Sequence, residues 1–184
     1  MRLFIAVELS KEIKKELTAL EEKLKSSAAD VKWVKPDNVH LTLKFLGETK
    51  EEQIEPIKKI LNGLAEKFKV FKTEIAGLGS FPNLKSPRVI WIGANNTDTL
   101  SVIANLLEEK LDKVGFPKEK RDFQPHLTLG RVRSLKNINI LKDTLAKNLD
   151  FKAGILEVKA LSLIESKLTP SGPIYTAFQS TGLS

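Results

Sequence analysis

The sequence predicts an α+β fold of two similar lobes related by an approximate two-fold axis. Three observations predict it. Short apolar runs of strand length alternate with amphipathic stretches at helical spacing. The order of these elements recurs in the second half of the chain. The only two histidines, His40 and His126, each open the same tetrapeptide, His-Leu-Thr-Leu.

In chain order, residues 2–8 read as a buried strand, apolar and bounded by polar residues. Ser10 is placed to cap a helix carrying Ile13, Leu17, Leu20 and Leu24 at helical spacing. A short strand is expected at 31–34, a turn at Pro36-Asp37-Asn38, and an alternating strand at 39–46. A second helix over about 51–68 leads to a strand at 70–78 and a Gly/Ser/Pro-rich loop at 79–87. The second half then reads as a strand at 88–93, a helix at 98–114 ended by Gly115 and Pro117, and a strand within 123–133. A helix at about 137–149, one long strand at 155–165 and a hairpin connection at 166–175 follow, with a last short strand at 174–179.

His126 follows His40 by 86 positions, and the same offset carries Leu3-Phe4-Ile5-Ala6 onto Val89-Ile90-Trp91-Ile92. The halves are therefore expected to share a strand–helix–strand unit in one register. Past the histidine strands the offset falls to 80, from Phe71-Lys72 to Phe151-Lys152, as a shortened loop would cause. One bilobal domain is expected, with repeat units at about 1–80 and 87–165 and a tail at 166–184. A two-fold pairing of equivalent strands brings His40 near His126.

Composition narrows the function. A chain of 184 residues with 41% hydrophobic residues can build a core and fits one domain. The absence of cysteine excludes disulfides and thiolate zinc sites and points to a reducing compartment. The start turns charged too soon for a signal peptide, and no apolar run approaches the roughly 20 residues of a membrane helix. The expectation is a cytoplasmic monomer with no membrane partner. A net charge of +7 favours a polyanionic partner, or serves only solubility. Most of it is lysine beside glutamate, which leaves Arg2, Arg88, Arg121, Arg131 and Arg133 as the few forks suited to phosphate.

Alternate residues of a strand face opposite sides. Leu41, Leu43, Leu127 and Leu129 then face the core, while His40, Thr42, His126 and Thr128 face a common surface. Either histidine taken singly reads as an ordinary half-buried strand residue. The matched context points instead to an acid–base pair. Imidazole titrates near neutrality, so one ring can take a proton from an attacking hydroxyl while the other gives one to a leaving oxygen. Threonine hydroxyls can donate to non-bridging phosphate oxygens. Two histidines without a carboxylate or cysteine cluster supply too few ligands for a catalytic metal, so neither metal nor cofactor is expected. No Gly-x-Ser-x-Gly elbow and no P-loop is present.

The paired His-x-Thr motifs resemble those of the two-histidine phosphoesterase superfamily. Further stretches resemble its LigT-like branch, the 2′-5′ RNA ligases or RNA 2′,3′-cyclic phosphodiesterases. They are Arg2-Leu3-Phe4-Ile5-Ala6-Val7, Trp33-Val34-Lys35-Pro36 with Asn38, Leu43-Lys44-Phe45-Leu46-Gly47, and Phe81-Pro82 before Arg88-Val89. Pro125, Leu129-Gly130-Arg131 and Leu168-Thr169-Pro170 complete the set, which spans nearly the whole chain. The resemblance implies antiparallel sheets facing a central groove, helices outside and the site between the lobes. It implies hydrolysis of RNA 2′,3′-cyclic phosphate ends to 2′-phosphates, and ATP-independent 2′-5′ joining of RNA such as tRNA halves. By position it gives His40 and His126 the acid and base roles and Thr42 and Thr128 the phosphate. Arg131 would bind phosphate, and Phe45 would stack on a base.

Strict alternation conflicts with the last two roles, because it turns Phe45 and Arg131 onto the leucine face. A bulge, which Gly47 and Gly130 would permit, must re-aim them. Otherwise Phe45 is core and Arg131 is structural or surface. Trp33 reads as groove lining or core, and Arg121 and Arg133 as RNA contacts or solvated surface. Arg2 opens the first strand and could face the groove, and Ser166 and Tyr175 carry no assigned role. Two other functions remain open: a phosphodiesterase for a small cyclic nucleotide phosphate, and a non-catalytic RNA-binding module.

Overall fold

The computed structural model describes residues 1–170 and 172–184. Nine strands form two antiparallel sheets among these residues. The first sheet has the order β3-β1-β8-β9, with β1 (Arg2–Val7), β3 (Leu41–Glu48), β8 (Ala160–Thr169) and β9 (Gly172–Gly182). The second has the order β2-β6-β5-β4-β7, with β2 (Val31–Trp33), β4 (Phe71–Phe81), β5 (Val89–Asn95), β6 (His126–Val132) and β7 (Lys152–Val158).

Four α-helices lie among the described residues, α1 (Lys11–Lys25), α2 (Glu51–Ala65), α3 (Asp98–Asp112) and α4 (Ile138–Ala146); the first three pack on strands and α4 packs on α1. Ser10 caps α1 by accepting from the Ile13 amide, and Ile13, Leu17, Leu20 and Leu24 are all buried. One continuous core joins these helix stripes to Leu3, Ile5 and Val7 of β1 and to Ile90 and Ile92 of β5. No helix among the described residues is long and apolar enough to cross a membrane.

The repeats interlock. β1 lies between β3 and β8, and β5 lies between β6 and β4. Each half thus lends its later strand to the sheet of the other half. The helices cross as well: α1 packs on β7 of the second sheet and α3 on β3 of the first. Neither sheet can form from one half of the sequence alone.

Four expectations need correction. The first strands of the repeats are offset by 85 positions, not 86, because Ala6 pairs with Thr42 where Trp91 pairs with Thr128. The offset matters, since a one-residue slip exchanges core and groove faces. The single strand expected at 155–165 is two strands in different sheets, broken at Lys159. Its buried phase slips there, from Leu156 and Val158 to Leu161 and Leu163. The hairpin expected at 166–175 is present, but the short last strand expected at 174–179 is longer: β8 runs on to Thr169 and β9 spans Gly172–Gly182, while position 171 lies outside the described residues. The loop expected from residue 79 begins only after Phe81.

Candidate active site

The site begins with the two leucine pairs. Leu41, Leu43, Leu127 and Leu129 are all buried in the core. Their burial fixes the opposite facing of Thr42 and Thr128, which are half-buried. No protein group among the described residues bonds either threonine hydroxyl, so both can donate elsewhere. His126 is the first residue of β6, and His40 directly precedes β3. The two strands belong to different sheets yet lie beside one another, with Cα atoms within 8 Å.

Both strands are irregular at the same place. In the β1–β3 ladder Ala6 pairs with Thr42 but Ile5 with Lys44, so Leu43 is extra. In the β5–β6 ladder Trp91 pairs with Thr128 but Ile90 with Gly130, so Leu129 is extra. Each bulge falls three residues after a histidine and reverses the alternation beyond it. Leu43 and Lys44 are both buried, and so are Leu129 and Gly130. Phe45 and Arg131 are therefore turned outward, Phe45 to 67% exposure. Glycine makes only the second of these bulges. Gly47, with φ +68°, lies at a further irregularity beyond Phe45.

Lys44 and Gly130 fill the equivalent bulge positions by different means. The Lys44 ammonium is buried and donates to Glu108 Oε2 (2.7 Å) and the Pro117 carbonyl (2.8 Å). Gly130 lies under Trp33 and Val31, whose side chains a Cβ there would overlap. Trp33 accordingly packs against the core.

The histidines share one anchor. His40 Nδ1 bonds the Asn38 carbonyl (3.0 Å), and His126 Nδ1 bonds the Gln124 carbonyl (2.7 Å). A carbonyl only accepts, so each Nδ1 carries hydrogen and each Nε2 is left for proton exchange. Each ring also meets two aromatics edge-on. His40 lies against Phe4 (5.8 Å between centroids) and Tyr175 (5.4 Å). His126 lies against Phe81 (5.2 Å) and Trp91 (6.5 Å). The Trp91 ring fits because Gly79 has no side chain to overlap it.

Burial pushes the His40 pKa below 6.5, opposed by the bond to Asn38; Lys14 lowers it further and Glu8 raises it. Burial likewise raises Tyr175, while the charges of Arg131 and Arg2 pull it down. Both guanidiniums are thus within electrostatic reach of the Tyr175 hydroxyl, although they stand on different sheets. Arg131 makes no ion pair among the described residues, whereas Arg2 is 3.7 Å from Glu48. Among the described residues no three His, Cys, Asp or Glu side chains converge as metal ligands.

Arg121 and Arg133 lie exposed outside the strands, and Ser166 pairs with Tyr175 in the β8–β9 hairpin. The aromatic wall of Phe4, Tyr175, Phe81 and Trp91 was not foreseen from the sequence. Its signal was the aromatic content of the strands that neighbour each histidine.

Comparison with known proteins agrees with this construction. The family model described as LigT-like phosphoesterase matches the chain twice, over residues 7–91 and 92–175. An RNA 2′,3′-cyclic phosphodiesterase of Methanocaldococcus jannaschii is 42% identical over 175 residues, covering 95% of this chain and 96% of its own. One from Methanothermobacter thermautotrophicus is 37% identical over 176 residues, covering 96% and 95%. A crystal structure from Thermus thermophilus superposes with TM-score 0.84 at 29% identity, covering 100% of this chain and 98% of the other. E. coli LigT bound to 3′-AMP superposes with TM-score 0.80 at 26% identity and the same coverage. With both halves matched in turn by one model and full-length relatives of this similarity, the chain belongs to the LigT-like phosphoesterase family.

Proposed function

We propose that the protein opens the 2′,3′-cyclic phosphate at RNA ends to a 2′-phosphate, by acid–base catalysis between His40 and His126 and without a metal. The observation that carries this reading is the matched anchoring of the two rings. Both Nδ1 atoms are committed to backbone carbonyls, so both Nε2 atoms are available to a substrate.

In the step proposed, a neutral Nε2 takes a proton from water as its oxygen bonds to phosphorus. The P–O3′ bond breaks, and the other ring, protonated, gives its proton to O3′. Thr42 and Thr128 donate to the non-bridging oxygens, and Arg131 offsets their charge. Phe45 carries a base of the strand on its exposed ring. A 5′-hydroxyl in place of water would form a 2′-5′ bond without ATP, which makes tRNA halves a candidate substrate. A small cyclic nucleotide phosphate is the second reading, favoured by the mononucleotide that E. coli LigT binds.

The test is hydrolysis of an oligonucleotide 2′,3′-cyclic phosphate in EDTA by the wild type and by His40→Ala and His126→Ala. Activity is expected to survive EDTA and to fall about 10²–10⁴-fold in each variant. Dependence on added metal would overturn the mechanism, and full activity in either variant would overturn the assignment. Relative rates on a cyclic mononucleotide and on RNA separate the two substrate readings.

A further inference from the structure

His40 and His126 match in the Nδ1 bond, in the threonine two residues on and in the rings around them. They differ in how the carbonyl that holds each Nδ1 is itself held. The carbonyl on His40 belongs to Asn38, the last residue of a single 3-10 turn, Pro36–Asn38, between β2 and β3. No residue of that turn is buried, and its backbone bonds are local: Asn38 N–H to the Lys35 carbonyl (2.7 Å) and Val39 N–H to the Pro36 carbonyl (3.2 Å). Among the described residues two side chains tie it to other elements. Asp37, 96% exposed, lies 3.8 Å from Lys14 of α1, a pair worth little in solvent. Asn38 Nδ2 donates to the Pro173 carbonyl (2.9 Å) of the edge strand β9, 135 positions along the chain. Two residues on, and on the same face of β9, Tyr175 sets its ring 5.4 Å from that of His40 and 5.1 Å from that of Phe4. The contacts close a circuit: His40 to Asn38, Asn38 to Pro173, and Tyr175 back to His40. His126 has no such circuit. Gln124, whose carbonyl holds its Nδ1, is exposed, and its side chain bonds no other element among the described residues.

We propose that Asn38 is a positioning residue for the reaction: its side chain ties the turn to the β8–β9 hairpin, fixes the carbonyl that holds His40 Nδ1–H, and so keeps His40 Nε2 aimed at the substrate. This rests on the two-histidine reading above.

Proton transfer needs Nε2 within hydrogen-bond reach of the oxygen it serves. It also needs one tautomer, because the hydrogen on Nδ1 is what leaves Nε2 able to accept. A carbonyl that drifts with an unburied turn secures neither. Asn38 touches the ring through its backbone alone, so every substitution keeps the acceptor and removes only the tie to β9. That tie needs a donor, since the Pro173 carbonyl can only accept.

The test is ¹⁵N NMR of both histidine rings in the full chain at pH 8, above the range in which imidazole ordinarily titrates. Wild type is compared with Asn38→Ala and with Asn38→Asp, which keeps the shape and the turn preference but loses the donor. Kinetics on a dinucleotide 2′,3′-cyclic phosphate and thermal melts accompany it. In wild type both rings are expected to carry hydrogen on Nδ1. In both variants His40 alone is expected to become a mixture of tautomers, with kcat down about 10–100-fold and KM within about twofold. Asp37→Ala, in the same turn, is expected to change nothing. An unchanged His40 tautomer overturns the proposal, as does unchanged kcat or a loss confined to KM. A loss in the alanine variant alone marks a failed turn and overturns it too. Full activity in His40→Ala would instead sink the two-histidine reading, while the ring spectra still report whether Asn38 fixes His40.

Discussion

Phe45 on β3 and Arg131 on β6 are equivalent residues: each stands five positions after its histidine, and each is turned outward by a bulge at the leucine three positions after it. One backbone device thus serves both halves. The side chains it delivers are chemically different, an aromatic face on one strand and a guanidinium fork on the other.

Phe45→Ala is expected to raise KM for an oligonucleotide cyclic phosphate about tenfold, from a stack of about 1–3 kcal/mol. The melting temperature is expected to stay unchanged, because the ring is 67% exposed. A core phenylalanine would behave oppositely, with about 3–5 kcal/mol lost on unfolding and KM intact. Arg131→Lys keeps the charge and loses the fork, so kcat/KM is expected to fall about tenfold. Steady-state kinetics beside thermal melts separate these outcomes.

Thr42 and Thr128 present hydroxyls that no protein group among the described residues bonds. Thr42→Val and Thr128→Val keep the β-branched shape and remove the donor. A hydrogen bond to a charged oxygen is worth about 1.5–3 kcal/mol, so kcat/KM is expected to fall about 10–100-fold in each. Serine at either position is expected to keep most of the activity. A valine variant with wild-type kinetics would remove that threonine from the phosphate site.

The alternation of leucine with histidine and threonine made the groove face legible in the sequence. The bulges were legible only as a conflict, since a regular strand could not turn both His40 and Phe45 outward. Lys44 hid the first bulge. A lysine after three alternating positions reads as solvent-facing, and its partner Glu108 lies 64 residues away. The break at Lys159 did leave a trace, the slip from Val158 to Leu161 in the buried phase. An apolar run of that length reads as one strand unless the phase is followed residue by residue. The exchange of β4 and β8 between sheets left no trace, because strand pairing is a tertiary choice that local pattern does not encode.

Acid should weaken the fold through His40. Its folded pKa lies below the unfolded value near 6.5, chiefly because burial disfavours the imidazolium. Between those two values the unfolded chain binds more protons than the folded one, so stability rises with pH across that window. The contribution is complete above pH 6.5 and is lost as pH falls towards the folded pKa. His40→Asn removes this term. Urea unfolding at pH 7.5 and pH 5.5 is expected to show a larger loss on acidification for the wild type than for the variant. Equal losses would mean that His40 titrates alike in both states.

The pair of buried Lys44 and half-buried Glu108 links the strand of the first motif to the segment that leads to the second. Lys44 Nζ donates to Glu108 Oε2 and to the Pro117 carbonyl, and the Glu119 amide donates to the same Glu108 oxygen at 2.9 Å. The lysine side chain is 1% exposed and the glutamate 19%. Removing one partner strands the other charge, whereas removing both with well-packed apolar groups can be nearly neutral. Glu108→Gln is therefore expected to cost about 3–5 kcal/mol in urea unfolding, because the ammonium left behind is the more buried of the two charges. Lys44→Met leaves only the better-solvated carboxylate and is expected to cost less. The double variant Lys44→Met/Glu108→Leu is expected to recover most of the loss, with a coupling that shows in the double-mutant cycle. Both single variants are expected to speed amide exchange across residues 117–125, since the pair holds that segment at two points. An unfolding free energy for Glu108→Gln within about 0.5 kcal/mol of wild type would show that water, not Glu108, solvates the ammonium.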